Sequence, residues 1–136
     1  MEFVTWEAKY MVGIPVVDQQ HQRLVDLTNR LFAACQEGAG AGLHSQFKSV
    51  IREAVDYVKV HFRDEESLQL QVQYPAAREH KFLHDDFVRK ILDSVRDYNE
   101  GRAFVPNNFV RFLRDWLLEH IAIYDQDFGK FYTARR

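Results

Sequence analysis

The sequence has one cysteine, three prolines and six glycines among its 136 residues. A lone Cys35 rules out an internal disulfide and fits a reducing cytoplasm, the expected location. Its expected role is that of a small buried residue. No apolar run approaches the roughly 20 residues that span a bilayer. No basic segment followed by an apolar one marks the N-terminus as a secretory signal, and no membrane span is expected. Neither sign of charge dominates: 18 basic and 20 acidic residues leave a formal charge of −2 and no basic stripe, so nucleic acid is not an expected partner either. Strand-like alternation of useful length is missing, as are repeats and low-complexity tracts. What is abundant is aromatic: eleven Phe raise the aromatic share to 14%, which points to a core packed with large rings.

The length predicts one domain over residues 1–136. Residues 1–17 carry Gly13 and Pro15 and no sustained helical period. They read as an extended arm that lays Phe3, Trp6 and Tyr10 against the body. Asp18 is then the expected N-cap of a first helix, with His21, Leu24, Thr28, Leu31 and Cys35 on one face. The glycines of 38–42 end it. A second helix places Phe47, Ile51, Ala54, Val58, His61, Glu65 and Leu68 at alternating spacings of four and three. Tyr74-Pro75 breaks the chain. A third helix carries His80, His84, Phe87, Ile91, Ser94 and Tyr98 until Asn99-Glu100-Gly101 stops it. After Pro106 a fourth shows Phe109, Leu113, Trp116, His120 and Ile123. The expected fold is therefore all-α: an antiparallel up-down-up-down four-helix bundle over about 18–136 with an extended N-terminal arm.

That connectivity brings the start of the first helix, the end of the second, the start of the third and the end of the fourth to one end. His21, the pairs His61/Glu65 and His80/His84, and His120 then meet at a similar depth, because residues four apart share a helical face. His44 falls at the opposite end, where a solvated or capping role is expected. One histidine on an apolar face is ordinarily a hydrogen-bonded core residue. Five with a carboxylate at one level would leave many buried polar groups in need of partners, and a metal supplies them. No cysteine lies near the cluster, which excludes sulfur-rich zinc and iron–sulfur sites, and five imidazoles exceed the four positions of one tetrahedral zinc. Two octahedral ions offer about twelve positions. Five histidines, two bridging carboxylates and one bridging solvent oxygen fill all but one. Spacing leaves the second carboxylate open between Asp125, five residues past His120 but rotated away, and Asp127, on the right face but about 10.5 Å along the axis. Asp64 is likewise a rival to Glu65, although Glu65 continues the seam.

These residues resemble the hemerythrins, in particular the single-domain bacterial ones. The chain has a lone His21, then His61-Phe62-Arg63-Asp64-Glu65, His80-Lys81-Phe82-Leu83-His84, and His120 followed five residues later by Asp125. The stretch Gly13-Ile14-Pro15-Val16-Val17-Asp18-Gln19-Gln20-His21 and the Tyr74-Pro75 turn are also similar to the family. The resemblance implies two non-haem iron ions with a bridging oxo or hydroxo group, reversible O2 binding rather than an enzymatic reaction, and Asp125 over Asp127. His80, His84 and His120 would saturate one iron, His21 and His61 would leave the other open, and Glu65 and Asp125 would bridge. Phe62, Trp116 and Leu117, each close in sequence to a ligand, are the candidates for an apolar O2 pocket. The expected partners are O2 and an oxygen-consuming enzyme as its recipient, with the protein a monomer. A di-iron enzyme or an O2 or NO sensor using the same site is the alternative.

Overall fold

The computed structural model describes residues 3–36, 41–102 and 105–135, with side chains except at positions 36 and 41–46. A 3-10 turn (Ala8–Tyr10) precedes α1 (Pro15–Gln36), α2 (Ala41–Gln71), α3 (Ala77–Asn99) and α4 (Pro106–His120). A π-helical turn, Ile121–Asp125, joins α4 to α5 (Gln126–Ala134). Backbone angles stay helical through both junctions, at φ −63°, ψ −46° for Ile121 and φ −62°, ψ −43° for Gln126. The last three pieces are thus one rod and the bundle has four. Among the described residues there is no strand. α1 packs on α2 and on α4, and α2 packs on α3.

The apolar seams close on one large core that includes Leu27, Leu31, Phe47 and Val110, each at most 1% exposed. A smaller cluster of Val12, Ile14, Val17 and Phe128 seals the end at which α2 turns into α3. The histidine level lies between the two, so the fold encloses it in apolar material on both sides.

The arm differs from the expectation at its end. α1 begins at Pro15, not beyond residue 17, because proline's fixed φ suits the first helical turn. Asp18 is therefore inside that turn and is not the N-cap. Its carboxylate reaches back to accept the backbone N–H groups of Val12 (2.8 Å) and Gly13 (3.1 Å). The rest of the arm is held by the backbone of Val4, which exchanges two hydrogen bonds with the Asn29 amide. Gln126 donates to the carbonyls of Lys9 and Met11. Phe3 stacks on Phe32 at 4.2 Å, and Trp6 lies 5.5 Å from Tyr10. Gly129 is required where the arm crosses α5: a Cβ there would stand 2.2 Å from the Val12 carbonyl oxygen.

Two helices end in the same way. At the close of α3, Arg102 N–H bonds to Asp97 O (2.9 Å) and Gly101 N–H to Tyr98 O (3.3 Å), with Gly101 at φ 72°. This is a Schellman stop at the expected glycine. α2 ends with Tyr74 N–H on Gln69 O (2.9 Å) and Gln73 N–H on Leu70 O (3.2 Å), but the left-handed residue is Gln73 at φ 55°. The turn expected between α1 and α2 falls largely on 37–40, outside the described residues, and α2 takes up the chain at Ala41. The His44 side chain also lies outside them. Its backbone position puts it roughly 30 Å from Glu65 along α2.

Candidate metal centre

His21 stands two turns into α1, His61 and Glu65 lie in the last turns of α2, and His80 and His84 open α3. His120 is the last residue of α4, and Asp125 closes the π turn. All seven side chains are buried, none more than 4% exposed. The π turn explains how the fourth rod offers two donors five residues apart. An i→i+5 bond, here Gln126 N–H to Ile121 O, adds about one residue to the turn. A five-residue step then sweeps about the angle that four residues sweep in an α-helix, and Asp125 comes round to the face of His120. Asp127 follows in the first turn of α5 and is exposed.

The donors form two overlapping groups: Glu65, His80, His84, His120 and Asp125 in one, and His21, His61, Glu65 and Asp125 in the other. The two carboxylates belong to both, and they divide their oxygens. Glu65 Oε1 faces His80 Nε2 (2.8 Å) and His84 Nε2 (3.2 Å), while Oε2 faces His61 Nε2 (3.9 Å) and His21 Nε2 (4.0 Å). Asp125 Oδ1 faces His80 Nε2 (3.0 Å) and His120 Nε2 (3.2 Å), while Oδ2 faces His21 Nε2 (2.9 Å). Within the first group His120 Nε2 is 3.0 Å from His80 Nε2 and 3.1 Å from His84 Nε2. A first-row ion lies about 2.1 Å from an imidazole nitrogen, so adjacent octahedral donors are about 3.0 Å apart. The spacing of the first group is that of an octahedral edge.

The carboxylates and His21 lack the hydrogen bonds that would satisfy them within the protein. Both oxygens of Glu65, both of Asp125 and both ring nitrogens of His21 have no hydrogen-bond partner despite these short contacts. Burying two carboxylates in that state is expensive unless cations compensate them. A pair of cations held by nitrogen and oxygen donors fits the set: five imidazoles, two carboxylates and no thiolate. Without cations the histidines take up the charge unevenly. Burial lowers His80, but the Asp125 and Glu65 carboxylates outweigh it and push the imidazole up to about 9. For His61 burial wins, helped by His21 and His84 against Glu65 and Asp125, and the ring falls to about 4. Burial and Asp125 push the Glu65 carboxyl up, yet His80, His84 and His61 hold it at about 2.

The outward nitrogens reveal residues that spacing alone did not single out. His61 Nδ1 lies 2.7 Å from Gln20 Oε1, and Gln20 Nε2 donates to Asp64 Oδ2 at 2.9 Å. Asp64 thus braces Gln20 from outside and is absent from the donor set, whereas Glu65 is in it. His84 Nδ1 lies 2.9 Å from Glu66 Oε2. Such partners fix which ring nitrogen carries the proton, leaving Nε2 free to face inward. Their one signal in the sequence was adjacency, Gln20 before His21 and Glu66 after Glu65.

Aromatic rings wall the three-imidazole group. Phe62 stacks on His84 at 3.7 Å and 1°, and Trp116 stacks on His120 at 4.4 Å and 11° and on Phe87 at 3.7 Å and 4°. Phe62 also lies 5.7 Å from His61. Leu117 lines a different feature, an apolar cavity of about 30 Å³ toward the bundle middle, with Leu24, Val58 and Leu113 among its walls. The hydroxyl of Thr28, also in its lining, is spent on the Leu24 carbonyl at 2.9 Å. Among the described residues no helix is long and apolar enough to cross a membrane.

Comparison with known proteins identifies the family to which this fold belongs. The model of the hemerythrin HHE cation binding domain matches residues 12–132. The bacteriohemerythrin of Methylococcus capsulatus is 30% identical over 135 residues, covering 98% of this chain and 100% of that protein. The bacteriohemerythrin of Pseudomonas aeruginosa is 34% identical over 121 residues, covering 89% of this chain and 76% of its own. Among solved structures, wild-type hemerythrin superposes with a TM-score of 0.88 at 29% identity, over 96% of this chain and 98% of that one. A variant of hemerythrin substituted at one leucine gives a TM-score of 0.89 at 28% identity, over 98% and 99%. With the family model spanning most of the length and the helix order in agreement, the chain belongs to the hemerythrin family, whose members bind O2 at non-haem iron.

Proposed function

We propose that this protein binds O2 reversibly at a di-iron centre, as a carrier, store or deliverer of oxygen. In this reading His80, His84 and His120 would hold one iron, His21 and His61 would hold the other, and Glu65 and Asp125 would serve both, with an oxo or hydroxo group completing the centre. The observation that carries it is the division of carboxylate oxygens between a three-imidazole group and a two-imidazole group. Such a centre would supply two electrons and one open position for O2, on the side where only His21 and His61 contribute imidazoles.

The protein's own residues decide the rest. Gln20 and Glu66 set the tautomers of His61 and His84. Phe62 and Trp116 press on the imidazoles of the fuller group and restrict their rotation. Leu117, one turn before His120 at the edge of the apolar core, would help keep water from the centre, which favours release of intact O2 over loss of a reduced form. Five neutral imidazoles against two carboxylates bring little negative charge, which supports binding over oxidative turnover and is why we read the protein as a carrier and not an enzyme. For delivery the recipient is an oxygen-consuming enzyme. The unpaired Cys35 suits a monomer working in the cytoplasm.

The test is optical. The reduced, iron-loaded protein should be nearly colourless, gain visible charge-transfer bands under O2, and lose them under argon through repeated cycles. Bleaching with product formation would move the function to an enzyme, and the absence of any band would overturn O2 binding altogether.

A further inference from the structure

Of the described buried polar side chains outside the seven donors, Asp18, Gln20 and Thr28 all have hydrogen-bond partners. Gln69 has none: it is 0% exposed and neither its amide oxygen nor its amide nitrogen is bonded. A buried amide left in that state is costly, so its polarity calls for a ligand. A second unpartnered group lies at the same end of the bundle. His21 Nε2 faces Asp125 Oδ2 at 2.9 Å, yet His21 Nδ1 has no partner, although His61 Nδ1 and His84 Nδ1 do.

Helix geometry sends these two groups toward each other. Gln69 follows Glu65 by four residues, on the same face of α2 and about 6 Å nearer the bundle end. Side chains on a helix lean toward its N-terminus. Gln69 therefore leans back toward the Glu65 level. His21, on the antiparallel α1, leans toward Pro15, the end where Gln69 lies. Glu65 Oε2, 4.0 Å from His21 Nε2, fixes the two helices at this height.

We propose that Gln69 and His21 Nδ1 together bind one internal water molecule, which accepts the Nδ1–H of His21 and donates to the Gln69 amide oxygen. Gln69 is then a positioning residue: it locks the tautomer of His21 so that Nε2 stays unprotonated and aimed at the centre. The pattern has a chemical sense. Both imidazoles of the two-histidine group are backed by neutral amides, Gln20 directly and Gln69 through water, while His84 of the fuller group is backed by the Glu66 carboxylate. The electron-richer support goes to the side without the open position. The assignment rests on the proposed metal site but not on O2 chemistry, so zinc-loaded protein serves for its test.

A crystal structure of the zinc-loaded protein should show an ordered water within hydrogen-bonding distance of both His21 Nδ1 and the Gln69 amide. In histidine-labelled protein, Gln69→Met keeps the shape and removes the polar atoms. It should speed deuterium exchange of the His21 Nδ1–H at least tenfold, leave the His61 and His84 ring protons unchanged, and weaken metal affinity about 10- to 100-fold. A residue that merely packs would shift the melting temperature and leave the His21 signal alone, which would overturn the proposal, as would a Gln69 amide found bonded elsewhere with no water present. If zinc is not held, the proposed function fails on its own terms, and the same ring-proton comparison in the metal-free protein still decides the water site.

Discussion

Gln73 carries a local cost that a single atom-level change removes. At φ 55° its Cβ crowds the backbone, in a position where the matching stop after α3 uses Gly101. Gln73→Gly should stabilise the protein by about 1 kcal/mol, raising the thermal midpoint by about 4 °C, with no change in metal content. A melting curve that falls would mean the glutamine side chain has a role at the α2–α3 turn. At this scale the sequence was uneven in what it disclosed. His21, His61, His80, His84 and His120 were legible because an imidazole that faces inward must keep the helical period, and five of them at one level have no other economical explanation. Gln20, Glu66 and Gln69 were not legible, since polar residues beside a seam look the same whether they face water or the back of an imidazole.

The π turn is the element that departs most from regular geometry, and spacing pointed to it only conditionally, as the distorted turn that Asp125 would need unless its side chain reached in. Ideal helical spacing left Asp125 rotated away from His120 and Asp127 too far along the axis. The resolution is one extra residue wound into Ile121–Asp125. Deleting the exposed Ala122 should let the rod return to regular α geometry with His120 and the carboxylate now four apart, still on one face. The expected result is retention of two metal ions per chain, read by metal analysis, with helix content by circular dichroism unchanged. Loss of either ion would show that the wide turn itself shapes the centre. The bundle's helix order followed from proline, glycine and seam spacing alone. The true start of α1 at Pro15 did not, because the Asp18 carboxylate turns to the arm instead of capping its own helix.

The whole molecule buries two carboxylates among five imidazoles, and this sets its response to pH. In the metal-free protein His80 is raised to about 9, so its contribution to stability is complete below the ordinary histidine value near 6.5 and is lost as pH climbs toward 9. His61 is lowered to about 4, so its contribution is present above 6.5 and is lost as pH falls from 6.5 toward 4. As far as these two are concerned, the metal-free protein should be most stable near pH 6.5, checked by denaturant melts across the range. Loading requires neutral imidazoles, so adding ferrous or zinc ion at pH 7.5 should release about one proton or more per chain, seen with an indicator in weak buffer. A loading curve with no proton release would contradict the raised His80. The divided oxygens of Glu65 and Asp125 have a thermodynamic corollary. Whatever occupies one group orients two of the donors that the other group needs, so the two occupancies are linked, each favouring the other. Titration with metal should then pass from empty to doubly filled with scarcely any singly filled chain along the way, and an oxidised or reduced state should likewise belong to the pair.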